Sequence, residues 1–138
     1  MRVKGVRIID FPTVTDSRGS LSFCEAENHI PFKIKRTFWV FDAPATIVRG
    51  KHAHRESWQV HVCLSGKAKI TVDDGTNRET LVLNNPRQGL MLAPMVWHSF
   101  CLEAESLLFV FTSNFYGEED YIRSFDEFLT LVREGPRE

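Results

Sequence analysis

Cysteine is scarce in this chain, with three among 138 residues and no C-x-x-C pair. Cys24, Cys63 and Cys101 are an odd, widely spaced set, which argues against a disulfide framework and predicts reduced thiols, buried as small hydrophobes in a cytoplasmic protein. Net charge is nearly absent too. Seventeen Lys and Arg against eighteen Asp and Glu leave −1 at neutral pH, with the signs interspersed, so charge points to neither a nucleic-acid nor a membrane partner. No apolar run approaches bilayer-spanning length. The N-terminal MRVKGVRIIDF interleaves charge with apolar residues and predicts a strand, not a signal peptide. Repeats, low-complexity segments and linkers are also missing. These absences predict one soluble, intracellular domain over 1–138, long enough for a real core. Aromatics are plentiful, with eleven Phe and three Trp, most of them expected inside.

Useful chemistry concentrates in RGKHAHRESWQVHVCLSG, residues 49–66. His52 and His54 stand two apart, so on a strand both imidazoles leave the same face. In WQVHVCL, Trp58, Val60, Val62 and Leu64 alternate with Gln59, His61 and Cys63, and the chain turns at Gly66. A His-x-His pair, a polar residue five positions on and a later Gly resemble the first cupin motif, with Gln59 where metal-binding cupins usually carry Glu. In GLMLAPMVWHSF, Pro94 and His98 resemble the second motif without its glycine. An isolated His-x-His would be read as two solvated histidines; a third histidine in a second patterned segment favours a site.

Further strands are predicted over 3–11, 21–24, 33–41, 89–92, 98–102 and 107–112, with 67–72 and 78–83 pairing across Asp73-Asp74-Gly75. Asp16 to Gly19 is a turn. From Glu118 the apolar residues Tyr121, Ile122, Phe125, Phe128, Leu129 and Val132 follow helical spacing, ended by Pro136. Glu118 to Asp120 read as a solvated charge run at the helix start, and Tyr121 as packing. Many short strands and one terminal helix predict an all-β double-sheet jelly roll with a short C-terminal helix.

DSRGSL, PFKIKR, RGKHAH, DDG, PMVWHSF and EEDYIRSFDEF occur here in that order. Together they resemble the sugar 3,4-ketoisomerases of the cupin superfamily. The resemblance implies a homodimeric cupin jelly roll acting on dTDP-4-keto-6-deoxyglucose. It implies a role in making 3-amino-3,6-dideoxy sugars for bacterial surface polysaccharides, His52 and His54 as the catalytic pair, and no metal or other cofactor. One departure stands out: Phe38 occupies a strand position where the family usually has Tyr.

The residues suit that chemistry. Moving a carbonyl from carbon 4 to carbon 3 through an enediol is general acid–base work, and imidazole suits both halves. His52 is expected as the base and His54 as its orienter or partner acid. Arg49 and Arg18 are expected on the diphosphate, each otherwise a surface ion pair. His98 and Gln59 are expected to contact substrate. His61 is expected behind the site, and Trp39 and Trp97 in the core. Two other readings remain open. One is a metal-dependent cupin enzyme using His52, His54, His98 and Gln59; the other is a sugar-binding cupin without catalysis.

Overall fold

The structure, a computed structural model, describes residues 1–134. In chain order its strands are β1 (Val6–Asp10), β2 (Thr13–Asp16), β3 (Gly19–Ser22), β4 (Arg36–Val40), β5 (Val48–His54), β6 (Gln59–Ser65), β7 (Ala68–Asp73), β8 (Arg78–Leu83), β9 (Gln88–Leu92), β10 (Trp97–Leu102), β11 (Leu107–Thr112) and β12 (Tyr121–Ile122), followed by α1 (Phe125–Glu134). They form two five-stranded sheets, ordered β1-β9-β6-β11-β4 and β12-β5-β10-β7-β8, with β2 and β3 as a separate hairpin. The expected jelly roll is therefore present.

Period-two patterning decides which side chains meet between the sheets. On β6, Cys63 faces the inter-sheet core with Ile70, Val72, Leu90, Leu108 and Val110. Val60 and Val62 face the opposite side and pack with Phe11, Ile30, Phe32, Met91 and Phe111. Helix α1 covers the outer side of the second sheet, where Phe128 closes over Ala53 and Ile122. Burying a side chain as large as Phe128 is worth roughly 1.5–3 kcal/mol, enough to dock a helix of only ten residues. Trp97 packs against Phe125 and Phe128 and Trp58 against the cluster that holds Val60 and Phe111, whereas Trp39 is exposed and stacks on Phe109. The three cysteines are free, and of these Cys63 alone is fully buried.

The predicted helix from Glu118 is corrected. Glu118–Asp120 form a single 3-10 turn, and Tyr121 and Ile122 are a short strand paired with His54 and Ala53 of β5. The helix starts only at Phe125, where Ser124 Oγ accepts from the Glu127 N–H at 3.2 Å. Its expected end at Pro136 lies outside the described residues. Arg55 pins the rearranged segment, donating to the Tyr121 carbonyl at 3.0 Å and pairing with Glu127 at 2.9 Å.

One irregularity aims the histidine strand. His98 pairs with His52 but Phe100 pairs with Arg49, so β5 carries an extra residue between them. Gly50 lies in this bulge with φ 67°, and a Cβ there would stand 2.9 Å from Phe100 Cε1. We expect Gly50→Ala to cost ~1–2 kcal/mol from the left-handed backbone, plus the clash with a core ring. Urea denaturation checks this, and turnover should fall with stability because His52 sits two residues away.

Candidate active site

The jelly roll opens between its sheets into a cavity of about 460 Å³, lined by Phe38, Trp39, Val40, Arg49, Gly50, Lys51, His52, Gln59, His61, His98, Phe100, Tyr121 and Arg123. Strand β5 supplies His52, β6 supplies Gln59 and His61, β10 supplies His98 and β12 supplies Tyr121. The ring of His52 lies 4.9 Å from that of His54, 4.8 Å from His98 and 4.9 Å from Tyr121. His54 and Tyr121 are 4.6 Å apart. Four expected residues, His52, His54, His98 and Gln59, thus meet in one place, and Arg49 lies at the rim.

Arg18 does not join them. It sits at the turn of the β2–β3 hairpin with its side chain 88% exposed, paired to Asp16 at 2.6 Å. Asp16 Oδ1 also accepts the Arg18 N–H at 2.8 Å, so the Asp-Ser-Arg-Gly turn folds the guanidinium onto its own aspartate. The cations that do line the cavity are Arg49, Lys51 and Arg123, with no carboxylate among the lining residues. Arg123 also lies over the Tyr121 ring, 4.4 Å from its centroid.

Asp120, expected from the sequence as solvated charge, is instead the anchor of the site. Its Oδ2 accepts from His54 Nδ1 at 2.8 Å and from Ser57 Oγ at 2.6 Å. Its Oδ1 accepts the Glu56 N–H at 2.7 Å. Burial pushes the Asp120 carboxyl up, but the hydrogen bonds from Ser57, Glu56 and His54 outweigh it and hold the group below its ordinary value. Burial lowers His54 despite Asp120, so the pair is a neutral imidazole donating to a carboxylate rather than an ion pair. His54 Nε2 meets Gln59 Nε2 at 3.0 Å, and Gln59 Oε1 meets His61 Nε2 at 3.0 Å. His52 makes ring contacts only.

Burial, reinforced by His98 and His54, pushes His52 down to about 2. Burial and His54 push His98 down to about 4, and His61 goes well below its usual value for the same first reason. The cluster is therefore neutral near pH 7, a state in which imidazole accepts protons. The ligand nitrogens of His52, His54 and His98 lie within 4.8 Å of one another, near enough for one ion to reach all three. Yet both nitrogens of His54 already have partners, and the fourth position is a neutral amide.

These shifts carry a stability consequence. His98 binds its proton near pH 6.5 when unfolded but only near 4 when folded. As pH falls through that window the unfolded chain takes up the proton first, and stability drops. His98 alone should cost about 3 kcal/mol between pH 7 and 4, and His52 and His61 act in the same direction. Urea midpoints measured from pH 7.5 to 4 should fall steadily, with a smaller fall in His98→Asn.

The site residues that the sequence pattern hides, Asp120, Tyr121 and Arg123, share one cause: helical spacing runs on through 118–123, although these residues form a turn and a strand. A signal for the true start was present in Ser124-Phe125-Asp126-Glu127, a capping box that places the first helical turn after Ser124.

Comparison with known proteins points to one family. The family described as FdtA, WxcM-like, C-terminal, matches residues 4–133. The TDP-4-oxo-6-deoxy-alpha-D-glucose-3,4-oxoisomerase of Aneurinibacillus thermoaerophilus is 40% identical over 127 residues, covering 91% of each chain. A crystal structure of a 3,4-ketoisomerase from Helicobacter canadensis is 36% identical, with TM-score 0.91, over 96% of this chain and 99% of that one. A histidine-to-asparagine variant of the 3,4-ketoisomerase QdtA from Thermoanaerobacterium thermosaccharolyticum, in complex with TDP-4-keto-6-deoxyglucose, is 31% identical, with TM-score 0.93, over 96% and 97%.

Proposed function

The chain belongs to the FdtA, WxcM-like, C-terminal family, and from that premise we propose that it is a sugar 3,4-ketoisomerase acting on TDP-4-keto-6-deoxyglucose. The observation that carries the reading is the neutral, sheltered cluster of His52, His54 and His98 beside a rim of Arg49, Lys51 and Arg123. The cations suit a diphosphate, and the imidazoles suit proton transfer.

His52, without a hydrogen-bond partner, takes the proton from carbon 3. Electrons move to the carbon 4 oxygen, and the enediolate is stabilised by the cations and by the Tyr121 hydroxyl. The same imidazolium returns a proton to carbon 4, while the hydroxyl proton of oxygen 3 moves to oxygen 4, so no net proton is consumed. Tyr121 is the phenol of this cavity, and Phe38 offers none. Its hydroxyl accepts from Arg36 Nη2 at 3.5 Å. His98 donates Nδ1–H to the Val96 carbonyl at 3.2 Å, which leaves Nε2 as an acceptor toward the sugar. No metal is required.

NMR of TDP-4-keto-6-deoxyglucose incubated with the protein tests the reading. A 3-keto product in the presence of EDTA is expected. Turnover lost to EDTA and restored by a divalent ion would favour the metal-dependent alternative, and bound but unchanged sugar the non-catalytic one.

The homodimer belongs to the same proposal. Trp39 is 56% exposed and stacks on Phe109 at 6.2 Å, and Leu64, Phe23 and Ile34 are also exposed. An apolar patch of this kind on a sheet face suits a second copy of the chain. Sedimentation should give a dimer at micromolar concentration, and Trp39→Glu should shift it toward monomer. Among the described residues no helix is long and apolar enough to cross a membrane.

A further inference from the structure

Gln59 is the third member of a hydrogen-bonded chain whose direction follows from its two ends. At one end the ionised Asp120 carboxylate can only accept, so His54 Nδ1 carries the hydrogen shared across 2.8 Å. His54 is neutral, so its Nε2 is a lone pair and takes a hydrogen from Gln59 Nε2 at 3.0 Å. The amide then presents Oε1 to His61, which must donate from Nε2 at 3.0 Å. The other end is His61 Nδ1, buried with no hydrogen-bond partner. With this polarity the orphan is a bare lone pair; with the opposite one it would be a buried, unpaired N–H, the rarer state in folded proteins.

We propose that His61 is a positioning residue: acting through Gln59, it holds His54 in the Nδ1–H tautomer with its Nε2 lone pair occupied, which leaves His52 as the imidazole free to take the sugar proton. The assignment of that proton rests on the ketoisomerase reading; the tautomer lock does not. The two rings are only 4.9 Å apart, and nothing in their spacing along β5 separates a base from its neighbour. The chain behind them does. For His54 to carry a hydrogen on Nε2, the Gln59 amide must turn over and aim its NH₂ at His61 Nε2. His61 must then move its own hydrogen to Nδ1, where no acceptor lies. Each member can change state only with the next.

Long-range NMR of the protein labelled with ¹⁵N-histidine reads the lock without any substrate. The expected spectrum has the hydrogen on Nδ1 in His54 and on Nε2 in His61. His61→Leu should give His54 a mixture of tautomers and lower kcat by roughly tenfold to a hundredfold, the range seen when a partner that orients an imidazole is lost, with KM little changed. His61→Gln keeps an N–H within reach of the Gln59 oxygen and should restore both. Native His54 with its hydrogen on Nε2, or His61→Leu with unchanged His54 signals and kcat, would overturn the proposal. If His61→Leu does not fold, Gln59→Met removes the same hydrogen bonds at similar side-chain length, and unchanged His54 signals there overturn it equally. The expected tautomers in a native protein that does not turn over substrate would sink the ketoisomerase reading and support the lock.

Discussion

Replacing His52 with asparagine should abolish isomerisation while leaving the protein folded. The side chain is partly accessible, and its ring meets His54, His98 and Tyr121 without a hydrogen bond to any of them, so little structure depends on it. A positioned acid–base group contributes a factor of ~10² to 10⁴, and here one imidazole both removes and returns the proton, so the loss should lie at the upper end. Exchange of the carbon 3 proton in D₂O should vanish together with product. If exchange persists while product formation stops, His52 is not the base, and the role passes to another group of the cluster.

Asp120→Asn should be the next most damaging change, although Asp120 does not line the cavity. Its carboxylate accepts from His54, Ser57 Oγ and the Glu56 N–H together. An asparagine has one accepting oxygen, so it either faces its NH₂ toward His54 Nδ1 and forces the opposite tautomer or turns that NH₂ to the backbone N–H groups of Glu56 and Ser57, which lose their acceptor. A tautomer error at a catalytic histidine costs ~10² in kcat or more, and leaving buried donors unpaired costs about 1–3 kcal/mol of stability. The two losses are separable by measuring kcat alongside the urea midpoint. A variant with near-native kcat would show that His54 needs no anionic partner.

How far these residues could be read from the sequence depended on the range of the interactions involved. His52, His54, Gln59 and His98 were legible because strand alternation is a local rule: positions two apart share a face, and each histidine strand carries its own pattern. The hairpin across Asp73 to Gly75 was legible for the same reason, through its turn residues. Arg18 stands away from the cavity of its own chain, because an arginine in a recurring motif says nothing of where its hairpin projects. Asp120 and Tyr121 were misjudged because helical spacing and a two-residue strand are indistinguishable over so few positions. What decides them is pairing with β5, a contact spanning more than sixty residues of chain.

That long-range pairing also dates the site within the folding of the molecule. His52, His54, Gln59 and His61 lie on neighbouring segments of the first half of the chain, but the carboxylate that sets the tautomer of His54 arrives 66 positions later, at the end of a single 3-10 turn that leads into a strand of only two residues. Closing so large a loop for so short a ladder is entropically late. The sheets can therefore assemble before the histidines acquire their working polarity. Among backbone amides of the second sheet, those where β12 meets β5 should then exchange with solvent sooner than those joining β10 to β7, through an opening that releases Asp120 while the barrel stays closed. In that opened form the protein keeps its shape and loses its chemistry.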